Sequence, residues 1–200
     1  MKTSIKTLIS ATLVAIVLTS SAFTPVSADS KSPLNTTRRI AASNFKKIIV
    51  SGNVDLLLVQ NNKSGVIVNE DSRFAKLRVT QQGNTLRISS NQSERIEVTV
   101  YVNDIFRIEA SEDATVKTFN KLNVQYLQVF LHDNAVADLN TQTESLYTVI
   151  GGRSKLNLSG GTNHHALSMN RISTLSMKDF FALKSEVSGH DALVMLNAGR

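Results

Sequence analysis

From Phe45 onward, apolar and polar residues alternate along most of the chain, and β-branched residues fill many of the apolar positions. Alternation of this kind sends successive side chains to opposite faces of a strand and so predicts half-buried β-structure. Ile48 to Ser51, Val54 to Gln60, Val66 to Asn69, Leu77 to Thr80, Leu86 to Ser89 and Ile96 to Val102 are short strands on this reading. Gln82-Gly83-Asn84 parts two of them and reads as a hairpin turn. No window beyond the first 28 residues holds apolar positions at helical spacing through three turns, so the fold class is all-β.

The second half adds a repeat of the form small–x–apolar–x–apolar. Its small anchors are Ala114, Ala135, Ser154, Ser173 and Ala192, spaced 21, 19, 19 and 19 residues apart. A second alternating segment precedes each anchor, among them Phe106 to Ala110, Leu127 to Leu131 and Leu146 to Ile150. Polar turns such as Ser111-Glu112-Asp113, His132-Asp133-Asn134 and Gly151-Gly152-Arg153 join the two. Two strands and tight turns in about 19 residues suit a coil stacked on its neighbours at roughly 4.8 Å. The expectation is a right-handed parallel β-solenoid over residues 45–200, with the N-terminal strands acting as its cap. A β-sandwich is the alternative.

The N-terminus changes the picture of where the protein works. Lys2 and Lys6 precede an apolar run from Leu8 to Leu18, and Val26-Ser27-Ala28 supplies small residues for cleavage, which reads as a signal peptide over residues 1–28. Residues 29–44, polar and carrying Pro33, read as a flexible leader. A periplasmic or extracellular location follows, with no membrane insertion after the signal is removed. Cleavage takes away two lysines, leaving 20 basic against 16 acidic side chains. These are scattered rather than clustered, so nucleic acid is not an expected partner. The absence of cysteine excludes a disulfide scaffold, a thiol enzyme and a cysteine-ligated metal site.

The segment Phe45-Lys46-Lys47-Ile48-Ile49-Val50-Ser51-Gly52-Asn53-Val54-Asp55-Leu56, with its strand ending near Gln60, resembles the opening of the head GIN domain family of putative autotransporter adhesins. The Gly-Asn turn before Leu86-Arg87-Ile88, the strand Ile96 to Val102 and the later repeats follow in the same order, so the resemblance covers roughly residues 45 to 196. Ser111-Glu112 stands where that family often has a glycine. The resemblance implies a secreted β-solenoid. It carries over no catalytic residues.

Candidate chemistry is sparse. Asp113 and Asp191 precede equivalent anchors but stand four coils apart, on the order of 19 Å. Two carboxyls acting on one glycosidic bond need about 5–10 Å. Hydrogen bonding within turns is the better role for these acids and for Asp133. His132 and His190 are about three coils apart, and His164-His165 follows Ser159 to Asn163, which reads as a flexible turn able to present one ring, with no third ligand nearby. No catalytic residue, metal site or cofactor is assigned.

Outward positions are more telling. Phe130, Tyr147 and Val149 form an apolar cluster on the partner strands, a platform for sugar rings or for a partner strand unless a loop covers it. In the last repeat, Leu193 and Met195 make the segment apolar on both sides, so something covers them. A second copy of the chain, giving a homodimer, is one answer; the leader or a local loop is the other. The functional expectation is a non-catalytic, adhesin-like binding module for an unknown protein or polysaccharide. A carbohydrate-active β-solenoid enzyme and a structural or assembly protein are the alternatives.

Overall fold

This computed structural model describes residues 36–70 and 77–188. The chain forms β1 (Thr36–Ile40), β2 (Lys47–Gly52), β3 (Val54–Gln60) and β4 (Gly65–Glu70). Next come β5 (Leu77–Gln82), β6 (Thr85–Ser90), β7 (Ile96–Val102), β8 (Arg107–Ser111), β9 (Thr115–Thr118) and the short β10 (Leu122–Asn123). After β11 (Tyr126–Leu131) there are three fifteen-residue strands, β12 (Val136–Ile150), β13 (Lys155–Met169) and β14 (Thr174–Ser188). The strands from β2 to β7 fall where the alternation put them, β3 and β7 to the residue. Within the segment read as a leader, β1 pairs antiparallel with β4, Thr36 opposite Glu70.

The register explains the repeat. β12 and β13 run parallel with Val136 beside Lys155, a 19-residue step; β13 and β14 begin at the same step, Lys155 beside Thr174, and move to 20 past an irregularity that sets Ser159 beside Asp179. β9 meets β12 at a step of 21, Thr115 beside Val136. Equivalent apolar residues therefore line up across the strands. Val116, Ala137, Leu156 and Leu175 make one such row, and Ile108, Val129, Thr148 and Leu167 another. The buried interior they form extends back to Phe45, Ile48, Leu56 and Leu86. Each large apolar side chain taken fully from water adds about 1.5–3 kcal/mol.

The protein is nevertheless not the right-handed parallel β-solenoid expected from the repeat. All fourteen strands belong to one mixed, curled sheet. β1 with β4, β4 with β7, and β5 with β6 are antiparallel pairs. The N-terminal strands do not cap an end either: β2 lies between β6 and β8, and β3 between β7 and β9. Two physical facts account for the error. Alternation has the same period whichever way a strand runs and leaves its neighbours unspecified. A two-residue connection such as Gly83-Asn84, with Gly83 at φ 57°, joins only antiparallel strands.

The long strands also bend where a turn was expected. In β12, Ala137, Leu139, Thr141 and Thr143 are buried; the alternation then changes phase, and Leu146, Thr148 and Ile150 are buried instead. At the bend the backbone N–H groups of Glu144 and Ser145 both donate to the Gln125 carbonyl.

Successive turns stack as well. Glu112 and Asp133, both at φ 58°, and Gly152 at 64° occupy equivalent places. The Asn134 N–H donates to the Glu112 carbonyl at 3.0 Å. A left-handed backbone costs a residue with a side chain about 1–2 kcal/mol. Glu112→Gly should thus raise stability by up to about 1 kcal/mol, seen as a higher urea midpoint. An unchanged or lower midpoint would show that this turn holds no strain.

Candidate functional site

One outward flank of the sheet gathers the chemistry. Parallel pairing sets Gln128 beside both Arg107 and Tyr147, and Phe130 beside both Glu109 and Val149. Phe130, Tyr147 and Val149 are thereby brought together as the alternation required. The Phe130 and Tyr147 rings meet edge to face, 5.8 Å between centroids at 66°, a geometry that adds about 0.5–1.5 kcal/mol beyond simple burial. Tyr147 remains 38% exposed.

Four residues around this cluster were not among those the alternation singled out. Tyr126, 56% exposed, sits on β11 with the same parity as Phe130 and lies beside Ser145. Alternation alone was enough to find it. The Arg107 guanidinium lies 4.0 Å above the Phe130 ring centre, a cation–π contact that only the β8–β11 register reveals. Its Nη2 also bonds Glu109 Oε1 at 2.6 Å, and Lys47 Nζ reaches the same oxygen at 2.8 Å. Partial burial works to raise the pKa of Glu109. The Lys47 hydrogen bond and the Arg107 and Lys47 charges outweigh that, and the carboxyl sits below its ordinary range. Glu109 is therefore ionised near neutrality and pins the Arg107 plane over the ring. The flank offers exposed ring surface beside a fixed cation and an amide, suited to stacking and hydrogen bonding.

Asp113, Asp133, His164 and His165 lie elsewhere, and His190 and Asp191 fall outside the described residues. Asp113 accepts from Asn134 Nδ2 at 3.1 Å, and Asp133 Oδ2 accepts from the Glu112 backbone N–H at 3.0 Å, so both serve the turns. Ser159 to Asn163 is not a loop but the middle of β13. His164 faces out, whereas His165 is buried at 2% exposure. Its Nε2 lies 2.9 Å from Thr148 Oγ1, and its ring meets Phe180 edge to face at 5.6 Å. Among the described residues no three His, Asp or Glu side chains converge as metal ligands. Leu193 and Met195 lie outside the described residues.

The all-β sheet is also what comparison with known proteins finds. Residues 44–190 match the family described as "Putative auto-transporter adhesin, head GIN domain", and the chain belongs to that family. Among curated proteins none matches. A putative adhesin from Bacteroides fragilis is similar in structure at a TM-score of 0.67 and 19% identity, over 77% of this chain and 75% of the other. A putative lipid binding protein from Parabacteroides distasonis gives 0.58 at 14% identity over 77% and 79% of the two chains. A putative adhesin from Parabacteroides merdae gives 0.57 at 14% over 77% of each. At these identities the likeness is one of fold.

Proposed function

We propose that the protein is an exported, non-catalytic, adhesin-like module that works at the cell exterior or in the periplasm, and that it meets its ligand on the flank around Phe130, Tyr147 and Val149. The observation that carries this reading is the Arg107–Phe130–Tyr147 stack, held in place by Glu109 and open to solvent at Tyr147. An extended polysaccharide suits such a strip: sugar rings present apolar faces to the aromatics and hydroxyls to Arg107 and Gln128. Membership of an adhesin family supports the binding role. So does the engagement of Asp113, Asp133 and Glu109 in structural hydrogen bonds and ion pairs, which leaves these acids no acid–base task.

The test is binding of the chain from Asp29 onward to a panel of neutral and acidic polysaccharides at two salt concentrations, with released sugar ends assayed in the same wells. Tyr147→Ala should weaken capture about tenfold, the loss of roughly 1.4 kcal/mol of contact. Phe119→Ala, which removes a 70% exposed ring from a segment outside this strip, should leave it unchanged. Equal effects of the two substitutions would remove the strip from the mechanism. Released sugar ends would make the protein an enzyme.

A further inference from the structure

Cations that lie scattered in the sequence are gathered by strand pairing onto the flank that carries the aromatic strip. Arg107 on β8, Lys47 on β2, Arg87 on β6 and Arg78 on β5 sit on four consecutive neighbours in the sheet. Lys47 stands beside Arg107, Arg87 beside Ile49, and Arg78 beside Ser89. All four share the outward parity, while Ile48, Leu77, Ile88 and Ile108 next to them in the chain are buried. From Tyr147 the line crosses Gln128, Arg107 and Lys47 in one row, then steps diagonally to Arg87 and Arg78. At ordinary strand spacing and rise it measures about 30 Å along the sheet.

The acids nearby do not balance these charges. In the four strands Glu109 is the only acid, and it already accepts from Lys47 and Arg107 at 2.8 and 2.6 Å. Glu112, in the turn after β8, shares with Arg78, Ser51 and Ser89 the wall of a depression of about 280 Å³. Arg87 is exposed and has no ion pair among the described residues. A surplus of positive charge along one line attracts a polymer of the opposite sign. Taking the strip as the ligand site, as proposed above, we infer that the ligand is an anionic polysaccharide, its rings on the strip and its carboxylate or sulfate groups along Arg107, Lys47, Arg87 and Arg78. A linear chain charged at intervals fits cations set one strand apart. Guanidinium groups suit such anions because their N–H fork meets two oxygens at once.

The full chain is offered polygalacturonate and its methyl ester, and dextran sulfate and dextran, at low and high salt. Each anionic form should bind at least about tenfold more tightly than its uncharged counterpart at low salt, and the advantage should shrink as salt screens it. Arg87→Gln should weaken capture of the anionic forms about fivefold and leave the uncharged forms unchanged. Lys155→Gln removes the same charge from an exposed position in the row of Val136 and Thr174, off the line, and should change capture less than about twofold. Equal capture of charged and uncharged counterparts would overturn the inference, and so would equal losses from the two substitutions. Tyr147→Ala tells its failure from that of the strip. If Tyr147→Ala weakens capture and Arg87→Gln does not, the strip stands and the preference for anions falls. With the reverse result the strip falls and the preference for anions stands. Capture of none of the four probes would overturn both.

Discussion

Gly160→Ala should destabilise the protein on the order of 3 kcal/mol, one of the largest losses expected from a single added methyl. Gly160 lies in the middle of β13, beside Thr141 and four residues ahead of the bend that this strand and β12 make together at Ser145 and His164. Its φ of 92° is a conformation that residues with a side chain rarely adopt. A Cβ there would overlap the Thr141 carbonyl oxygen and lie 3.0 Å from Asn140 Oδ1. The Thr141 oxygen is the obstacle that cannot yield, because it is backbone and its residue is wholly buried. Gly161 is the internal control. Its backbone lies outside the left-handed region, and its nearest obstacle, the Phe181 carbonyl, stands at 3.2 Å. Gly161→Ala should cost less than half as much. Urea denaturation of the two variants settles the matter; equal losses would show that the bend does not depend on a bare backbone at residue 160.

The same bend marks how far the sequence could be read. Rows such as Val116, Ala137, Leu156 and Leu175 were legible because stacking in register demands one kind of residue at one interval. The direction of β4 and β5 was not, since Val66, Val68, Leu77 and Val79 alternate with polar residues in the same way in either sense. The insertion of β2 between β6 and β8 was equally hidden, for pairing partners tens of residues apart leave no local trace. Gly160-Gly161 looked like a loop because glycine is common in loops; here the glycines permit a close strand approach instead. At the candidate site, Phe130, Tyr147 and Val149 followed from parity and period. Arg107 did not, because its place over the Phe130 ring comes from the pairing of β8 with β11.

Acid should weaken the fold through His165. Alternation in β13 turns this ring inward while His164 faces solvent. In the sheet, His165 lies beside Leu146 on β12 and Ser185 on β14, with Phe180 against its ring and the Thr148 hydroxyl at Nε2. None of these contacts is a carboxylate that a charged imidazole needs. The nearby acid, Glu186, is paired with Lys184 at 2.6 Å. Burial alone therefore depresses the His165 pKa below its ordinary 6.5. The sign follows from linkage. The folded chain keeps His165 neutral while the unfolded chain takes up a proton near pH 6.5, so the stability held above that pH is lost as pH falls from 6.5 toward the lowered folded value. His165→Leu, which repeats the Leu146 beside it, removes the titration and leaves the Thr148 hydroxyl without its partner, at about 1–3 kcal/mol. The variant should be less stable than wild type by about that much at pH 8, and the gap should narrow as pH falls below 6.5. Urea midpoints at pH 8, 6.5 and 5 for both proteins measure the narrowing. A constant gap across that range would mean that His165 is already charged inside the folded protein or that acid opens the sheet elsewhere first.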